Sequence, residues 1–303
     1  MKIALFINAQ NFASSLLPEL ARRGHDAKLY ATYRVHLDRI GYRLNSESQS
    51  LASRAIHKIG WNLEKRKKHD LILNYADNSH PFQGPEIMYW QGVETWPEWR
   101  DKVRIERPGY YCTPDIAENL PEGSILLPRA VNTDLFKQYR RKKTWDGERP
   151  LRIGHFWKRG SIESSYTMRY WKRSDLLDEA VSILNRKGVR TELVNGPILR
   201  AKMPETLASL DVLAEEFGYL SHGATAVEAL MTGTPVVGCY NPSLCESPET
   251  LDMLINCLPN PDLIADEILK AADNKLGSTL PVEEYYSPSH AADVLEDTWE
   301  KLV

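Results

Sequence analysis

The stretch with the clearest chemistry is 221–237, SHGATAVEALMTGTPVV. Gly223 allows a sharp turn that exposes backbone amides, and a helix starting near Thr225 directs about half a positive elementary charge at that turn. Gly223, Ala224 and Thr225 are therefore predicted to receive an anion, phosphate above all, without help from any side chain. Glu228 stands three residues after Thr225 and has two readings. As Thr-x-x-Glu it is a capping-box partner whose carboxylate folds back onto the Thr225 amide; alternatively it accepts two hydrogen bonds from the hydroxyls of a ribose. The spacing alone favours the cap, which is common at ordinary helix starts. Gly233 ends the helix and Pro235 enters the next strand.

A second group lies in a basic, aromatic stretch, HFWKRGSIESSYTMRYWKR over 155–173. His155 follows Gly154 at a predicted strand end, and Lys158, Arg159, Lys172 and Arg173 follow. Such a run can be a solvated face, yet the carboxyl ends of strands are where doubly wound sheets bind ligands. In the first half, His80 and Glu94 each follow a predicted strand; as a general base Glu94 is preferred over His80, and each also has a structural reading. Asn8 and Asn11 in the first loop can offer side-chain amides to a sugar or an acceptor, or simply form a turn. The basic runs 65–68 and 140–143 read as solvated or linker segments. The first, with Trp61 nearby, could instead touch an anionic membrane surface or a nucleic-acid acceptor.

These residues must be held by regular elements. Residues 3–7 form a short apolar run, Phe12, Leu16, Leu17 and Leu20 recur at helical spacing, Gly24 closes the helix, and 27–31 read as a strand. This β-α-β opening is the unit of a parallel, doubly wound sheet. Further strands are expected at 71–74, 87–90, 103–105 and 124–127. Around 137–150 the apolar pattern breaks into charged residues with Gly and Pro, as in an interdomain linker. A second series follows, with strands at 151–155, 190–194, 211–215 and 235–239, and helices at 175–186, 204–210 and 225–231. The expected architecture is α/β with two Rossmann-like domains: 1–136 joined by a C-terminal helix within 288–303, and 151–287.

The chain has 303 residues, 42% hydrophobic and 26% charged, with a formal net charge of −3. This composition excludes a fibrous or disordered chain and supplies no overall field for nucleic acid. Cys112, Cys239, Cys245 and Cys257 lack metal-ligand spacing, which predicts a reducing, cytoplasmic setting. The apolar run at the start is too short for a signal peptide, and no run of about 18 apolar residues occurs. A soluble or peripherally attached protein is expected.

The segment 228–237, EALMTGTPVV, resembles the donor-site signature of glycosyltransferases with the GT-B fold. LPELARRGHD at 17–26, LLPRAVNTDLF at 126–136 and YWKRSDLLDEAVSIL at 170–184 are similar, in the correct order, to segments of the retaining glycosyltransferase family four. The resemblance implies two domains facing each other across a cleft, a UDP-sugar or GDP-sugar as donor and no required cofactor. It makes Glu228 the ribose ligand and Lys172 the phosphate-binding lysine, with Arg173 assisting; His155 stands where that family has arginine. Lys158, Arg159 and the 195–199 loop with Pro197 would complete the donor side. Departures are a leucine, Leu220, where the family has a second glutamate, with Glu215 and Glu216 at another spacing, and Arg173 in place of a glycine. His222-Gly223 is more similar to a turn of inverting enzymes of the same fold. Since no Asp-x-Asp occurs, the leaving diphosphate would be stabilised by fixed cations and helix amides without a metal. The acceptor would be a glycan, a lipid-linked sugar or, less in keeping with the charge, DNA. A sugar-nucleotide epimerase, a phosphorolytic enzyme and a non-catalytic nucleotide-sugar-binding protein are the alternative readings.

Overall fold

The computed structural model describes residues 1–6, 12–29, 68–75, 83–90, 107–112, 117, 120–141, 144–156, 172–196, 198–218, 222–245, 247–273 and 280–303. The chain forms two compact units, Met1–Val131 with Pro288–Val303, and Asn132–Ser287.

The first unit opens with β1 (Lys2–Phe6), α1 (Phe12–Arg22) and β2 (Asp26–Leu29), then adds β3 (Leu71–Tyr75), β4 (Glu86–Trp90), β5 (Tyr110–Tyr111) and β6 (Ile125–Leu126). Among the described residues the sheet order is β2-β1-β3-β4-β5-β6, with every pair parallel. Parallel strands are covered on both faces, so they read as unbroken apolar runs rather than alternation. Ile3, Ala4 and Leu5 are accordingly all buried, as are Leu71, Ile72 and Leu73.

The second unit holds α2 (Thr133–Lys137), β7 (Leu151–His155), α3 (Ser174–Arg186), β8 (Thr191–Asn195), α4 (Met203–Ala208), β9 (Val212–Ala214), α5 (Ala224–Met231), β10 (Val236–Gly238), α6 (Pro248–Met253), β11 (Ile255–Asn256), α7 (Pro261–Asp273) and α8 (Leu280–Tyr285). Its sheet order is β11-β10-β9-β7-β8, again parallel throughout. Helix α5 is buried all round from Ala226 to Met231, which marks it as the central helix of this unit. The chain then returns to the first unit as α9 (Pro288–Thr298). There α9 packs on α1, and Arg23 carries the join, 2.6 Å from Asp293 and 2.7 Å from Glu296.

The described residues of the stretch expected to be an interdomain linker, 137–150, belong instead to the second unit. Trp145 packs against its core and its indole N–H donates to the Arg149 carbonyl at 2.8 Å. Arg149 forks onto the buried Asp211 with two 2.6 Å bonds, and the Arg152 amide adds a third at 2.9 Å. Arg140 pairs with the buried Glu283 at 2.6 Å. Arg140 and Arg149 are thus spent on buried carboxylates. Asp211→Asn should lower the unfolding free energy by about 2 kcal/mol in urea titrations, because it leaves the Arg149 fork without its counter-charge. A change below a few tenths would show the segment to be a loose tether.

Candidate functional site

Elements of the second unit bring the candidate residues together at the carboxyl ends of β7 and β9. His155 ends β7, Glu215 and Glu216 follow β9, Lys172 and Arg173 precede α3, and Gly223 opens α5. Lys172 and Glu215 are both buried and meet at 2.6 Å, Nζ to Oε1. The other oxygen of Glu215 accepts the Gly223 amide at 3.3 Å. Burial alone would lower the pKa of Lys172, but the charges of Glu215 and Glu216 outweigh it and hold it raised. Burial would likewise raise Glu215, and Lys172 outweighs that and holds it below the usual carboxylate range. Both partners are therefore ionised as a contact pair.

The expected cap is not present at the start of α5. Gly223 itself is the N-cap of α5, extended at φ −82°, with no side-chain cap. Thr225 therefore lies inside the first turn, and the capping-box reading of Glu228 fails. Instead the Glu228 carboxylate is buried and accepts from the guanidinium of Arg200, which lies 5.2 Å over the Phe136 ring. Burial, opposed by Arg200, raises the pKa of Glu228. A Cβ at Gly223 would stand 2.6 Å from Glu215 Oε1, so a larger residue here would have to push this carboxylate aside. Gly233 has φ +75° and ends α5 as expected.

His155 is not placed as a charged phosphate ligand. Its Nδ1 donates to the Ala214 carbonyl at 2.8 Å, and its Nε2 then accepts from the Ser174 hydroxyl at 2.7 Å, which uses both ring nitrogens of the neutral form. Burial, aided by the Lys172 charge, pushes its pKa down to about 4. Arg173 is, among the described residues, the non-glycine with positive φ, at +50°, and it occupies the position where the resemblance puts glycine. Its guanidinium turns outward to Asp175 at 2.9 Å.

Residues that the sequence did not single out complete the cluster. Arg200 holds Glu228; Tyr286 meets the buried His222 at 2.7 Å; and Tyr240, fully buried, lies edge-on to His222 at 6.5 Å between ring centroids. None has a local pattern to reveal it, since each comes from a distant loop or helix. Asn8, Asn11, His80, Glu94, Lys158, Arg159, Pro197 and Leu220 lie outside the described residues, as do 65–67 and 142–143. Among the described residues no three His, Cys, Asp or Glu side chains are grouped to hold a metal, and no helix is long and apolar enough to cross a membrane. A cavity of about 370 Å³ opens at the opposite, amino ends of β7 and β9, lined by Arg141, Arg149 and Asp211 among others. Ligands of doubly wound sheets bind at the carboxyl ends, so this cavity is not the candidate site.

No protein-family model and no curated protein matches the sequence. Solved structures do. The chain is similar to the sucrose-phosphate synthase of Thermosynechococcus elongatus, with TM-score 0.59 and 12% identity over 100% of this chain and 99% of that one. It is similar to AviGT4, a glycosyltransferase involved in avilamycin A biosynthesis, with TM-score 0.55 and 12% identity over 100% and 98%. It is also similar to the UDP-GlcNAc 2-epimerase of Methanocaldococcus jannaschii, solved with UDP-GlcNAc and UDP, with TM-score 0.53 and 13% identity over 98% and 100%. The fold is that of the GT-B glycosyltransferases. At such identities the likeness carries the α/β architecture of the two units and leaves the chemistry to the residues.

Two measurements test the local account. Arg173→Gly should leave urea stability equal or higher, while Arg173→Val should lower it by about 1–2 kcal/mol, because a β-branched residue resists the left-handed conformation. His155 binds a proton at 6.5 when free but only near 4 in the fold, so its contribution is complete above pH 6.5 and is lost as pH falls towards 4. The loss reaches about 3 kcal/mol. Urea unfolding at pH 7 and pH 4.5 should show a smaller acid loss for His155→Gln than for the wild type; equal losses would place the acid sensitivity elsewhere.

Proposed function

We propose that the protein is a glycosyltransferase that takes a sugar from a nucleoside diphosphate sugar held by the second unit. The observation that carries this reading is the buried Lys172 ammonium set beside the Gly223 turn and the start of α5, at the strand ends of a GT-B unit. As the bond from the anomeric carbon to the diphosphate breaks, negative charge grows on the departing β-phosphate. Lys172 and the amides at the start of α5 supply fixed, water-excluded positive potential there, and this stabilises the transition state more than the ground state. No metal is needed for that task. Glu228 receives the two ribose hydroxyls, with Arg200 fixing the carboxylate until the nucleotide arrives.

In this reading the donor is a UDP- or GDP-sugar, Lys158, Arg159 and Pro197 lie on the donor side, and transfer retains configuration. The first unit holds the acceptor, a glycan or lipid-linked sugar, through Asn8 and Asn11, with Glu94 preferred over His80 as base. The protein works in the cytoplasm, where the basic run at 65–68 gives it a contact for the anionic inner face of the membrane.

The likeness to the UDP-GlcNAc 2-epimerase favours one second reading, sugar-nucleotide epimerisation on the same donor site. Donor consumption without any acceptor, with recovery of an epimeric nucleotide sugar, would select it over transfer.

Titration calorimetry with UDP, GDP and their sugars tests the donor site. Glu228→Ala and Lys172→Gln should each weaken the preferred nucleotide by about tenfold to a hundredfold, the loss of a charge-assisted hydrogen bond. Equal affinity of wild type and both variants, or no binding of any nucleotide, would overturn the assignment.

A further inference from the structure

The anion seat of the second unit is already taken. Each oxygen of Glu215 occupies one of the two donors that a phosphate would use: Oε1 lies 2.6 Å from the Lys172 ammonium, and Oε2 accepts the Gly223 amide at 3.3 Å. The seat has the size of this carboxylate, since the Cβ missing from Gly223 would lie 2.6 Å from Oε1. Resting on the donor-site reading above, we propose that Glu215 is an intramolecular stand-in for the donor's diphosphate, which binds only by displacing this carboxylate from Lys172 and the start of α5.

Charge makes displacement necessary. The groups facing Glu215 are Lys172 before α3, Glu216 beside it on the strand end, His155 on β7, His222 before α5 and Tyr240 after β10. His155 is neutral, so among the described residues it is the Lys172 ammonium that Glu215 contacts. In a buried site a diphosphate and Glu215 cannot share Lys172, because like charges in contact repel strongly where water does not screen them. Beside β10 the hydroxyl of the fully buried Tyr240 has no hydrogen-bond partner among the described residues, and burial with the charges of Glu215 and Glu216 pushes its pKa well above the ordinary value.

The position also matters for specificity. A ligand needs two or more negative charges to compete with a carboxylate already ion-paired, so the plug selects diphosphates over nucleosides and over singly charged anions. A neutral nucleoside binds without touching it.

The experiment is titration calorimetry of UDP and uridine, with GDP and guanosine in parallel, on the full chain, comparing wild type, Glu215→Gln and Lys172→Gln. Glu215→Gln should bind the preferred diphosphate at least about tenfold more tightly than wild type, by removal of one like charge, and its nucleoside with unchanged affinity. If Glu215→Gln leaves Lys172 too poorly compensated to fold, Glu215→Asp is the substitute, since a carboxylate one methylene shorter cannot span both donors; it should tighten the diphosphate severalfold. Unchanged or weaker diphosphate binding by the Glu215 variants, with wild-type binding still dependent on Lys172, overturns the stand-in and leaves the donor site standing. Equal binding by wild type and Lys172→Gln, or none by either, overturns the donor site and the stand-in with it.

Discussion

Two full charges taken out of water are stable only if they find each other, and in the second unit Lys172 and Glu215 do so at 2.6 Å. That requirement fixes the start of α3, the end of β9 and the turn into α5 within one contact. Its consequences spread outward. The Phe217 amide bonds the Lys172 carbonyl at 3.3 Å, which ties the two loops along their backbones as well. His155, packed beside the ammonium, must remain neutral. A Cβ at residue 223 would press on the Glu215 carboxylate, and the helix that follows begins one residue before Thr225. A single ion pair thus sets the protonation, the backbone and the residue type of its neighbours.

The sheets follow from a different constraint, and that constraint is legible along the chain. Strands buried on both faces must be apolar at every position, so Ile3-Ala4-Leu5, Leu71-Ile72-Leu73 and Val236-Val237 read as strands without any partner being known. The two-residue strands Tyr110–Tyr111 and Ile125–Leu126 are harder, because a strand that short has no period; the first was not read at all. The expected strand at 103–105 lies outside the described residues. Helix α7, absent from the expected elements, carries its own signals, Asn260 capping at 2.9 Å and Ile264, Ala265, Ile268, Ala271 and Ala272 on one buried face. The stretch 137–150 looks like a linker for a physical reason. Charge density predicts solvation only while the counter-charges are unknown, and here Asp211 and Glu283 are buried to receive Arg149 and Arg140.

The site divides along the same line. Gly223, Gly233 and Lys172 belong to local patterns, a turn, a cap and a helix start, and such patterns survive in sequence. The role of Glu215 does not, because it exists only where three separate segments meet; by spacing it looked merely out of place. Glu228 shows the converse risk. Thr-x-x-Glu is a sound local rule, but it presupposes where the helix starts, and Gly223 moved that start by taking the cap.

The departures from the family-four pattern concentrate on one electrostatic quantity. At 155, where the resembled pattern would put arginine, the histidine is held neutral. Glu215 adds a negative charge at the start of α5, on the residue that would otherwise be freest to meet phosphate. Arg173 replaces glycine but turns its charge outward to Asp175, so it does not restore the balance. A GT-B scaffold can serve transfer or epimerisation, since the fold supplies the helix amides and the strand ends while the side chains decide how strongly an anion is held. In the reading proposed above, a diphosphate would be held by exchange with Glu215 on Lys172, and exchange discriminates by charge more sharply than an open basic seat would.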